Sequence, residues 1–335
     1  MLALEIVIAL APVFVFLAAL ILCDSFKLAG WRMVLTAILA GFAAAAVSYE
    51  VTAWVIDGHI VKTAHHTRFS APVVEELLKA LFLLYLIRAS RIGFLVDSAI
   101  YGFAIGAGFA SVENLYYLYA VERGSLVIWV IRGFGTAIMH GGTTAIFGIL
   151  SKGLVDRHDS HKLVLFVPGL LVAAGIHSVY NHFILPPALG TVVLVITLPL
   201  LLVFIFERSE AALRSWLELD LDADMAILDY IRSGRVLQSR MGRYLRSLKG
   251  RFPGEVLADM LCYVRLHVEL AIRAKGILMM REAGFKPDLA SDILEKFEEL
   301  AYLARTIGKT GRLAVSPLLR TRSRDLWQLK MLLDL

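Results

Sequence analysis

Cysteine is nearly absent: Cys23 and Cys262 are the pair found in 335 residues. They fall on different segments and predict no disulfide framework. Charge is scarce over the first 206 positions, which hold 23 of the 63 Asp, Glu, Lys and Arg residues. With 58% hydrophobic residues and a mean hydropathy of +0.71, the chain lies outside the soluble globular range. The first apolar stretch lacks an Ala-x-Ala-like cleavage site, so it reads as an anchor rather than a removed signal peptide. No internal repeat occurs, and no aromatic platform interleaves the basic residues, which argues against nucleic acid as a partner.

Seven apolar stretches are present, at about 3–23, 33–56, 71–88, 94–120, 125–150, 163–185 and 188–206. Each is near or above the ~20 residues of a spanning helix. The third is the shortest and most charged, so hydropathy alone can miss it. The expected fold is an all-α polytopic membrane bundle of about seven helices over 1–206, followed by a cytoplasmic helical domain over 207–335. Orientation follows from Lys and Arg in the loops. Lys27, Arg32, Arg88, Arg91, Lys152, Arg157 and Lys162 fall on one side, against Lys62, Arg68 and Arg123 on the other. This predicts an outside N-terminus and a cytoplasmic C-terminal domain. The net charge of +5, carried mostly by that domain, suits an anionic leaflet.

Within the apolar third stretch stand Glu75, Glu76 and Lys79. An ionised side chain in hydrocarbon costs at least ~2.5 kcal/mol, so the cluster needs a reason. Depth supplies partners. At ~1.5 Å per residue, Glu75 and Glu76 lie about a turn and a half below the outer surface, and Glu113 and Asn114 about two turns in. His177 and Asn181, four apart on one face, fall in the outer half of the sixth helix. His140 joins that layer if 125–132 lies along the interface and the fifth helix begins near residue 133. Gly141 and Gly142 beside it, with Gly102, Gly106 and Gly108 on the fourth helix, allow close backbone approach.

Taken singly, each has a structural reading. Glu75 and Lys79 can neutralise one another at i, i+4, a membrane histidine can be a packing residue, and Asn114 can be interhelical glue. Convergence of all of them at one depth favours a functional site. Glu50 at outer depth is read as a partner for Arg132, and Glu5 and Asp97 as helix-end residues reaching headgroups. His59, His65, His66, His158 and His161 read as solvated loop residues. His182 points about 100° away from the Asn181 face.

These residues resemble a known family. Glu75-Glu76-Leu77-Leu78-Lys79 is similar to the EExxK motif of the PrsW intramembrane proteases, and Phe109 to Asn114 resembles their FxxxEN. His140 on a glycine-rich helix matches the third motif, and His177-Ser178-Val179-Tyr180-Asn181 the fourth, HxxxN. The resemblance covers about 30–206 and extends to the wider group with the CAAX prenyl endopeptidases and bacteriocin-processing relatives. It implies an intramembrane endopeptidase of a bacterial plasma membrane, cutting a single-span membrane protein near the extracytoplasmic face. In the founding system that is the first cut in an anti-sigma factor.

Peptide hydrolysis needs an activated water and a stabilised oxyanion. No serine–histidine or cysteine–histidine pair stands at the common depth, which argues against a covalent nucleophile. Glu75 or Glu76 is the expected general base, held ionised by a helix start capped near Ser70-Ala71-Pro72, with Lys79 as counter-ion. Two alternatives stay open. Either His140, His177 and Glu113 hold a metal, most simply zinc, or a glutamate activates water directly while His177 and Asn181 stabilise the oxyanion. No HExxH helix decides between them. A proton-coupled transporter needs polar residues continuing inward, and few exist besides Lys79; a non-catalytic scaffold is not favoured, because all four motifs are intact. Residues 207–335 keep a helical apolar spacing, punctuated at Pro253-Gly254, Phe285-Lys286-Pro287-Asp288 and Ser316-Pro317. Seven basic residues and no acidic one lie between Arg232 and Arg251, either a solvated face or a site for anionic lipid.

Overall fold

The computed structural model describes residues 2–120, 125–286, 292–319 and 323–333. Arg123, counted among the outer-loop charges above, and Pro287 and Asp288 lie outside these. Every element among the described residues is helical. Two compact units are present, Met1–Glu210 and Ala211–Leu335.

In the first unit, α1 (Leu2–Cys23) and α2 (Trp31–Asp57) are followed by the short α3 (Thr63–His65). A π-turn at His66–Ser70 joins α3 directly to α4 (Ala71–Arg88). Next come α5 (Leu95–Ala120), α6 (Leu126–Val130) and α7 (Ala137–His158), the last two joined by a second π-turn at Ile131–Thr136. A 3-10 turn at Leu163–Phe166 leads into α8 (Val167–Asn181), and α9 runs from Pro187 to Arg232. Five helical stretches are long and apolar enough to cross a membrane: 2–23, 31–57, 95–120, 163–181 and 187–232. The protein is accordingly an integral membrane protein. The other two long helices of this unit, α4 and α7, carry Glu75, Glu76, Lys79, His140 and Lys152, whose polarity lowers their mean hydropathy.

The middle of the unit is α5, which packs on α7, α2 and α1 and is buried almost throughout. Its small residues explain how. A Cβ at Gly106 would collide with the His140 carbonyl, and one at Gly102 with the Thr144 carbonyl, so α5 and α7 meet backbone to backbone.

Several sequence expectations change here. Ser70 has helical torsions and no capping bond, so α4 does not begin there. The positive end of that helix lies at Thr63, too far from Glu75 for a dipole effect confined to the first turn. Likewise 126–158 is one helix bent through a π-turn, rather than an interfacial segment followed by a fresh start near 133. Lys152 is no loop residue: it sits in α7, fully buried and paired with Asp156. Asp97 does not reach outward but accepts the backbone N–H groups of Gly93 and Phe94, both at 2.8 Å, fixing the start of α5. His66 is buried as well, bonded to Ser70 Oγ at 2.8 Å and Thr52 Oγ1 at 3.2 Å.

The second unit holds the rest of α9 with α10 (Arg240–Ser247), α11 (Gly254–Glu282), α12 (Ile293–Thr306), α13 (Gly308–Val315) and α14 (Ser323–Leu333). Met260, Val264 and Val268 of α11 form the centre of its core with Leu245, Ile307 and Val315. The seven basic side chains between Arg232 and Arg251 are all exposed. Two of them are already paired, Arg232 with Glu269 and Arg235 with Asp229.

Candidate active site

Four helices bring the cluster together. Adjacent residues on a helix diverge by about 100°, so Glu75 and Glu76 face differently although they are neighbours. Glu76 turns inward and is almost wholly buried, with Lys79 one turn later on the same face. Its Oε1 accepts from three side chains: Lys79 Nζ, Thr143 Oγ1 at 3.0 Å and His177 Nδ1 at 2.9 Å. Three donors on one oxygen satisfy a buried carboxylate that has no water to turn to. Glu75 keeps a partly exposed side chain, and its Oε2 lies 3.8 Å from His177 Nε2.

The hydrogen bonds fix the polarity of both imidazoles. An ammonium at Lys79 only donates, so His140 Nδ1 accepts from it at 3.0 Å. The proton of a neutral His140 then sits on Nε2, which donates to Glu113 Oε2 at 2.9 Å. On His177 the proton is on Nδ1, facing Glu76, and the Nε2 lone pair looks toward Glu75. The two rings stand edge to face, 4.8 Å between centroids. Phe109 packs on His140 at 5.0 Å and under Lys79 Nζ at 4.8 Å, closing the cluster on its apolar side.

Glu75, His140 and His177 each offer a ligand atom, and these atoms all lie within 4.8 Å of one another. Two imidazoles and a carboxylate from three helices are the donor set of a catalytic zinc site with an open position. The residues present therefore fit a divalent metal. Glu113, expected among the ligands, is not in this group; it approaches His140 and, at 3.4 Å, Arg132 Nη2.

The two asparagines of the sequence motifs stand off the cluster and hold its frame. Asn114 is fully buried, donates to the Ala9 carbonyl at 2.8 Å and accepts from Arg132 Nε at 2.9 Å. Asn181 donates to the Thr67 carbonyl at 3.0 Å, and Ser178 to that of Arg68 at 2.6 Å. Both fasten α8 to the π-turn that leads into α4. His182 folds back on the Ser178 carbonyl and contacts Phe69, away from the cluster. Glu50 is exposed, and the partners of Arg132 are Glu113 and Asn114. Sequence reasoning missed Thr143 and the alignment of Arg132 with Glu113. Thr143 was traceable as the residue one turn beyond His140, whereas Arg132 was not, because the π-turn shifts its face.

The family model described as PrsW family intramembrane metalloprotease matches residues 25–206. No curated protein and no solved structure matches the chain significantly.

Proposed function

Since the chain belongs to the PrsW family of intramembrane metalloproteases, the match covering more than half of it, and is therefore an intramembrane protease acting on membrane proteins, we propose that Glu75, His140 and His177 hold one divalent metal, most simply zinc. The observation that carries this is the approach of three ligand-type side chains from α4, α7 and α8 to within 4.8 Å of one another. When bound, such a metal acidifies a water and polarises the scissile carbonyl.

The remaining residues take the other roles. Glu76 holds the His177 ring through Nδ1 and so keeps Nε2 turned toward the ligand position, the outer-shell device common at histidine-bound metals. Lys79 and Thr143 keep Glu76 anionic and in place. Glu113 is the carboxylate left outside the ligand group with access to solvent; it takes the proton of the attacking water and delivers it to the leaving amine. Were a metal held through His140 Nε2, the bond from that nitrogen to Glu113 would be released and the carboxylate freed for the task. Asn114 and Asn181 position Arg132 and α8.

A second reading has its own support. Both ring nitrogens of His140 are engaged, with Lys79 and Glu113, an arrangement that needs no metal. In that case Glu75 activates water directly, and the His177 Nε2 lone pair accepts a hydrogen bond from that water. Elemental analysis of purified protein, with cleavage of a single-span substrate before and after stringent chelation, separates the two. One metal per chain and loss of cleavage restored by zinc are expected; full activity in a metal-free sample removes the metal. His177→Ala and Glu75→Gln are expected to abolish cleavage while the protein accumulates, and normal cleavage in both removes the assignment of this site.

The loop charges support an outside N-terminus, a cut near the extracytoplasmic face and a cytoplasmic second unit, even with Lys152 removed from the count. An anti-sigma factor is the substrate suggested by resemblance alone. Membrane proteomics with and without the Glu75→Gln variant identifies the fragments. The basic side chains from Arg232 to Arg251, all exposed, suit an anionic leaflet.

A further inference from the structure

Arg132 stands in the π-turn between α6 and α7, a kind of helix irregularity that often marks functional sites. Its guanidinium is held from two directions: Nε donates to Asn114 Oδ1 at 2.9 Å, and the group stacks 3.8 Å over the Tyr117 ring. Its Nη2 is sealed from solvent and has no hydrogen-bond acceptor. That nitrogen lies 3.4 Å from Glu113 Oε2, the oxygen that accepts from His140. A buried donor whose hydrogen bond is unmade is unfavourable by about 1–3 kcal/mol, and although Glu113 balances its charge, in a native fold the free N–H calls for a role. The other donors of the cluster are committed, Lys79 to Glu76 and His140, Thr143 and His177 to Glu76.

We propose that Arg132 Nη2 donates to the scissile carbonyl oxygen of the substrate and strengthens that bond as the oxygen becomes an oxyanion. The assignment rests on the protease reading above. During the step the water oxygen bonds to the carbonyl carbon while the carbonyl π pair moves onto its oxygen. The water proton passes to Glu113 and then to the amide nitrogen as the C–N bond breaks. Arg132 keeps its protons throughout and contributes charge and geometry.

The test uses full-length protein in a bilayer mimic, a single-span substrate, and a phosphinate peptide of the cleaved sequence as oxyanion analogue. Arg132→Gln is expected to lower kcat about 100- to 1000-fold, as for other oxyanion donors, with KM within about twofold. It also weakens phosphinate binding at least about tenfold, leaves affinity for uncleaved substrate unchanged, and retains the metal content of the parent, because an oxyanion donor acts on the transition state alone. An unchanged kcat, or a parallel loss of both affinities, overturns the assignment. Should Arg132→Gln fail to accumulate, Arg132→Lys, which keeps the charge without the planar fork, decides on the same two affinities. If His177→Ala also cleaves normally, the protease site itself is misplaced; if Arg132→Gln alone does, this inference falls by itself.

Discussion

In the first unit Glu76 and Lys79 are sealed from solvent and tied to His177, Thr143 and His140. In the second unit Glu269 gathers Arg232, Arg265 and Lys296, and the two arginines are more than half exposed. Packing differs in the same sense. Backbones meet through glycines at α5 and α7, whereas Met260, Val264 and Val268 interdigitate with other large aliphatic residues in the second core. Exposed ion pairs are worth little and can be kept by default. A fully buried pair rarely outperforms an apolar replacement, and the second unit holds Lys275 with Asp224. What sets the first unit's pair apart is the two histidines tied to it, which point to a use other than stability. Breaking each kind of arrangement tests that contrast.

The largest effect is expected from Lys79→Met. It removes the ammonium while filling its space, takes one of the three donors and the neutralising charge from Glu76, and leaves the Nδ1 of His140 without a donor. Losing one partner of a buried pair destabilises by about 3–5 kcal/mol. The variant should accumulate poorly or unfold at lower denaturant in detergent, with cleavage lost. Unchanged stability would show that water reaches the pair and that the cluster is less sealed than its burial indicates.

A smaller effect is expected from His267 on α11 of the second unit. Burial and the nearby Lys275 push its pKa down to about 4, whereas an unfolded histidine titrates near 6.5. Between those values the unfolded state binds a proton that the folded state refuses. Stability of this unit is therefore flat above about pH 6.5 and falls as pH drops toward 4, by up to about 3 kcal/mol. Denaturation followed by hydrogen exchange of α11 amides at pH 7 and 4.5 measures it, and His267→Gln should shrink the difference. A pH-independent result would mean the ring is solvated. The contrast sharpens here: a single neutral histidine in this core is expected to matter more than any of its surface ion pairs.

Much of the site was legible because ionisable residues inside apolar runs are expensive and few. Glu76, Glu113, His140 and His177 stood out for that reason, and the helices that carry them do meet. The unread part has one physical origin. Periodicity arguments assume 3.6 residues per turn, and the π-turns at 66–70 and 131–136 each break that count. Upstream faces are rotated, so His66 turns inward, Ser70 is not a cap, and Arg132 reaches Glu113 instead of Glu50. Adjacent glutamates were equally ambiguous: sequence cannot say that Glu76 receives three donors while Glu75 faces His177 Nε2.

The smallest effect belongs to Asp229 and Arg235. Their carboxylate and guanidinium meet at 3.1 Å, but both side chains are more than half exposed, and Arg235 also leans on Ser233 Oγ at 3.0 Å. Two solvated charges held by flexible side chains gain little from contact, and salt screens what they gain. Asp229→Asn should shift the stability of the second unit by less than about 0.5 kcal/mol, with any change fading at high ionic strength. A salt-independent loss above about 1 kcal/mol would put this pair in the same class as Lys79 and Glu76, and the contrast between the two units would then rest on packing alone.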